Sequence, residues 1–176
     1  MKILNYKNFL LINEEIEFNI IPCAYTYSII NNGIVDINVF TFITKKGNSY
    51  SVYISNTYEP NFTLDDGTKL HNYSNGYYIP TIYFSLSHYG VNSPNFNKLT
   101  NLGESLEVMG KVCFIINEYI KNNPKYKVYS IGGVDSSKES FYKNWLSKLT
   151  ISKYKLGPSN SYLLDGNPSK AYYFII

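Results

Sequence analysis

With 176 residues the chain reads as one domain, large enough to bury a core without a metal or disulfide framework. Its net charge of +3 is mild, and all 16 basic residues are lysine, so guanidinium clamps on phosphate or carboxylate are excluded. No dense basic stripe or RNA-binding motif occurs, which sets nucleic acid aside as a partner, and no apolar run approaches the roughly 20 residues that span a bilayer, which sets aside the membrane.

Aromatic residues make up 17% of the chain, 19 of them tyrosine, and together with abundant Ile and Val they favour strands over helices. Cys23 and Cys113 have no CxxC spacing, so neither a metal site nor a disulfide framework is implied. The opening MKILNYKNFLLINEE breaks on charge before a cleavage site can form, and the expectation is a soluble intracellular protein or part of an assembly built inside a cell.

Residues 1–11 suit a short helix or an edge strand equally. Ile16, Phe18 and Ile20 then alternate as in a strand that Pro22 ends. A meander follows: strands at Tyr25–Ile30, Ile34–Thr44 and Tyr50–Ser55, with turns at Asn31-Asn32-Gly33 and Lys45-Lys46-Gly47-Asn48. The polar residues 57–76 form a surface connection, so the domain divides into a meander (1–56), this connection, and a second half (77–176). Tyr77–Tyr89 reads as a strand with Pro80 at an edge or near its start.

The second half is a helix, a strand and a helix. Leu106, Met109, Val112, Ile116 and Ile120 recur at helical spacing, with Glu104, Glu107, Lys111 and Glu118 placed on the opposite side. Asn101 with Glu104 has the spacing of a capping pair, and Pro124 ends the run. A short strand at Lys127–Ile131 is expected to stop at Gly132-Gly133. Ser136 with Glu139 then opens a second helix, which buries Phe141, Trp145 and Leu149. Strands at Ile151–Leu156 and Lys170–Ile176 close the chain, with a turn-rich link between them. The fold class is therefore α+β: a mixed, mostly antiparallel sheet with two main helices.

From about Thr81 to Ile176 this order resembles the GNAT-type N-acetyltransferase fold. The resemblance implies that Leu102, Gly103, Glu104 and Ser105 hold the place of the loop that cradles the coenzyme A pyrophosphate. It also implies Tyr142, in the Phe141-Tyr142 pair, as the general acid. The chain departs from the family in having one glycine in that loop, no Arg or Gln to begin it, and Glu104 where the helix dipole would meet a phosphate. The Met1-Lys2, Tyr6-Lys7 and Phe9 opening, the Tyr50-Ser51-Val52 strand and the Phe141-Tyr142 ending also resemble small proteins of tailed phages with AT-rich genomes.

Each candidate residue has a plainer reading. Tyr142 shares an apolar helix side with Leu146 and reads first as core; His88 reads first as a strand-end residue and only then as a general base; Gly103 reads first as easing entry into the helix and only then as approaching a phosphate. The functional expectation is a non-catalytic phage protein, either a virion component or an accessory module in the host cytoplasm. Its partners would be other phage or host proteins, with oligomerisation open, and it would need no cofactor. The alternative is an acetyl-CoA-dependent N-acetyltransferase.

Overall fold

The computed structural model describes residues 19–31, 33, 35–58, 78–87, 104–126, 128–135, 155–164 and 167–175, the last two segments by their backbone. In chain order the elements are β1 (Thr26–Asn31), β2 (Asp36–Ile43), β3 (Ser49–Tyr58), β4 (Tyr78–Leu86), α1 (Ser105–Asn122), β5 (Val128–Asp135), β6 (Lys155–Leu164) and β7 (Asn167–Ile175). The strands make one sheet in the order β1-β2-β3-β4-β5-β7-β6. Among the described strands β4 and β5 run parallel, with α1 between them in sequence, and every other neighbouring pair is antiparallel.

Two glycines set the register of the meander. Gly33 and Gly47 both have φ of +83°, a conformation that a side chain resists, and each sits where the chain reverses. The Asn31 carboxamide accepts the Gly33 N–H at 2.7 Å. In the second turn Gly47 N–H donates to the Thr44 carbonyl and Thr44 N–H to that of Asn48, both at 2.9 Å.

Strand alternation then sends two sets of side chains to opposite faces. Phe40, Phe42, Tyr50, Val52, Ile54, Ile82, Tyr129 and Ile131 pack with Val108, Met109, Val112, Cys113, Ile115, Ile116 and Tyr119 of α1. Ile37, Val39 and Tyr53 form a smaller buried cluster on the other face. Hydroxyls lace that second face: Thr41 with Ser51 at 2.8 Å, Ser51 with Ser87 at 2.9 Å, and Ser130 with Thr81 at 2.8 Å.

The expected α+β architecture with two main helices, acetyltransferase-like in its second half, is corrected. Among the described residues there is one helix, and the remaining regular structure is strand. The expected helix from Ser136 to Leu149 lies outside the described residues. Much of the difference comes from the closing segment, where the supposed turn-rich link belongs to β6 and β7. Their register leaves Asp165-Gly166 between paired Leu164 and Asn167, and Asp-Gly is a dipeptide that two-residue hairpins favour. Pro158 falls where the β6–β7 register shifts between Leu156 and Ser159, a position at which a missing N–H is tolerated.

Three smaller differences share a tertiary cause. Gly132-Gly133 does not end β5; the strand runs on to Asp135 and the glycines fall in a register shift against β7, between Ile131 and Val134. Of the strand expected through Ile16, Phe18 and Ile20, residues 16–18 lie outside the described residues and Asn19 and Ile20 are irregular, as is Tyr25, where the next strand is expected to open; Ile21 N–H donates to the Gly110 carbonyl at 3.1 Å. A Cβ on Gly110 would stand 2.7 Å from both the Asn19 oxygen and Ile21 Cγ1, so the segment crosses α1 where the helix carries no side chain. On α1 itself, Leu106 is exposed whereas Lys111 and Glu104, assigned to the solvent side by spacing, are buried.

Candidate functional site

The most concentrated chemistry lies where the β2–β3 turn meets the start of α1. Glu104 is the N-cap residue, yet its side chain makes no capping hydrogen bond. The residue is 7% exposed and its carboxylate is turned to the sheet, where Oε2 accepts from the Thr44 hydroxyl at 2.9 Å. Thr44 Oγ1 also lies 3.3 Å from the Asn48 carbonyl, but it has one proton, and the shorter contact to a carboxylate takes it. Among the described residues Glu104 Oε1 has no hydrogen-bond partner, although it is buried.

One turn on, Glu107 Oε1 accepts from the Lys45 N–H at 2.9 Å and from the Lys111 ammonium at 2.7 Å. Burial pushes the Glu107 carboxyl up, but the hydrogen bonds from Lys111 and Lys45 and the charges of both lysines outweigh it and hold the group below the usual carboxylate range. The Lys111 ammonium also donates to the Ile43 carbonyl at 2.8 Å and lies 5.8 Å from the centre of the Phe42 ring. Its stem therefore covers apolar surface while its head is satisfied three ways, which explains a lysine only 9% exposed.

Cys23 lies within the field of Lys111, but burial is the larger influence and pushes its thiol up. That makes it a poor nucleophile, since the thiolate is the reactive form. Cys113 is buried in the core, and neither cysteine is in a disulfide.

A second feature is the β4–β5 junction. The parallel ladder consists of Thr81 with Ser130 and Ile82 with Ile131, although β4 runs on to Leu86 and β5 to Asp135. The Ser130 hydroxyl donates to that of Thr81, tying the strands on the face away from α1.

Of the candidate residues read from sequence, Glu104 and Ser105 are described: Glu104 is the buried N-cap and Ser105 the first residue of α1. Tyr142, His88, Leu102 and Gly103 lie outside the described residues. Sequence reasoning misses Thr44, which spacing takes for the end of a strand, and it places Lys111 on the helix side opposite the apolar residues. The available signal was a lone lysine inside the apolar run Val108-Met109-Gly110-Lys111-Val112-Cys113. Comparison with protein-family models, curated proteins and solved structures finds no match to this chain.

Proposed function

We propose that the chain is a non-catalytic interaction protein, a virion component or accessory module of a phage. The observation that carries the reading is the acidic start of α1. A helix N-terminus attracts anions, but here it stands beside two acidic side chains of the chain itself: Glu104, which makes no capping bond and is buried against Thr44, and Glu107 in the first turn. A coenzyme pyrophosphate arriving there would add charge beside two carboxylates. The phage assignment rests on the resemblance of the chain's opening and strand patterns.

The rival reading, an acetyl-CoA-dependent N-acetyltransferase, draws on the short β4–β5 ladder, which leaves two parallel strands running on beyond their pairing toward the start of α1. Thermal melting with acetyl-CoA separates the two. A ligand of the native state at about 100 times its dissociation constant stabilises by about 2.7 kcal/mol, and a chain of this size gains about 2–4 °C per kcal/mol. The expected result is an unchanged Tm at millimolar coenzyme; a rise of that order would overturn the proposal in favour of the enzyme. Recovery of the chain from purified particles at fixed stoichiometry would distinguish a virion component from an accessory protein.

A further inference from the structure

Strand β1 stands at the end of the sheet order, and its whole length from Thr26 to Asn31 is paired on one side with β2. All six of its residues are exposed. Of the six large apolar side chains exposed among the described residues, four are Tyr25, Tyr27, Ile29 and Ile30. An outer strand offers a row of backbone donors and acceptors to any extended segment, and proteins usually guard it with lysine, proline, a bulge or brevity. The stretch Thr26-Tyr27-Ser28-Ile29-Ile30-Asn31 has no charge, no proline and no glycine, and its ladder with β2 has no register shift.

We infer that β1 is a self-association edge, pairing antiparallel with β1 of a second copy of this chain. The partner is argued from charge and from symmetry. The strand carries no charge to match an acidic or basic one, and Asp36, opposite Asn31 in β2, accepts from the Asn31 carboxamide at 2.9 Å. A neutral strand rich in aromatic and β-branched residues is the matching surface, and the chain carries one.

Symmetry then narrows the register. A two-fold axis normal to the sheet joins the two edges antiparallel and keeps both α1 faces on one side. Residues directly opposite must then come from the same face. Tyr27 and Ile29 share the α1 face, because they lie opposite Phe40 and Asn38 of β2. With the axis through Ser28, Tyr27 faces Ile29 of the partner subunit, and Thr26 faces Ile30 of the partner subunit. Aromatic and β-branched pairs of this kind stabilise a sheet, and the pairing covers side chains that are 53%, 57% and 44% exposed at Tyr27, Ile29 and Ile30. A six-residue edge falls short of the roughly 1,200 Å² that stable complexes bury, so the association is weak and concentration-dependent.

Sedimentation velocity on the full chain, from about 10 μM to about 1 mM and without coenzyme, tests this independently of the function proposed above. The parent is expected to shift from monomer to dimer across that range. Ser28→Lys sets like charges opposite each other at the axis and is expected to weaken the dimer at least about tenfold, while mixing it with Ser28→Glu restores a heterodimer. Circular dichroism confirms that each variant is folded. A parent that stays monomeric throughout overturns the inference and leaves the edge to a strand of another protein. A Ser28→Lys chain that dimerises like the parent overturns the register on which it rests.

Discussion

The two ends of α1 are fastened to the same sheet by different chemistry. At its start the helix is held by charge: Glu104 on Thr44, Glu107 on the Lys45 backbone, and Lys111 between Glu107, the Ile43 carbonyl and the Phe42 ring. At its finish the contacts are aromatic. Phe40 meets Tyr119 edge-on at 6.0 Å and Tyr25 edge-on at 5.5 Å, Tyr27 lies tilted against it at 5.1 Å, and Tyr126 meets Tyr129 at 6.2 Å. The charged end specifies which turn of the sheet the helix reaches, since each bond has one geometry. The aromatic end contributes area and tolerates adjustment.

Removing the aromatic anchor should have the largest effect. Phe40→Ala is expected to cost about 3–5 kcal/mol in urea unfolding, because the ring is buried among three tyrosines and the void cannot close around them. Lys111→Met, which keeps most of the stem, should cost less, about 1.5–3 kcal/mol for the lost charge-assisted bonds to Glu107 and Ile43.

Smaller but more diagnostic is the response to pH, where the two ends should fail in opposite directions. Glu107 is held below its ordinary range, so the stability it contributes is present above about pH 4.3 and lost as pH falls through the lower folded value. Lys111→Met should therefore show a shallower acid transition than the parent. Tyr119 is pushed up to about 12, first by burial and then by Tyr126 and Tyr27. The unfolded chain ionises this phenol near pH 10 and the folded chain does not, so its contribution is intact below about pH 10 and is lost as pH rises toward 12. Tyr119→Phe should flatten the alkaline limb and leave the acid limb alone. If it flattened both, the two ends would not be separable.

The same contrast explains what could be read from the amino-acid order. Local signals carried the meander: alternating residues in β2 and β3 and glycines at both reversals describe a hairpin without knowledge of the rest of the chain. They also carried the existence of α1. Its start was misplaced because Asn101 and Glu104 have capping spacing, whereas the Glu104 carboxylate is drawn away by Thr44, 60 residues earlier in the chain. Lys111 was assigned to solvent for the same reason; its partners at Ile43 and Phe42 belong to a strand that helix periodicity cannot see. Gly132-Gly133 was read as a turn because glycine pairs mark turns and bulges alike, and only the neighbouring β7 decides between them. Thr44 gave no warning at all, since a threonine at a strand end is ordinary.

Gly110 acts as a notch cut into the middle of α1. Because Asn19 and Ile21 rest where any Cβ would stand, the crossing chain has a single seat along the helix axis. Sliding by one turn along the axis would bring it over Leu106 and Glu107 or over Cys113 and Phe114, all of which carry side chains. A missing methyl thus indexes the segment leading into β1 against the helix, so that the outer strand inherits its placement from an atom the protein does without.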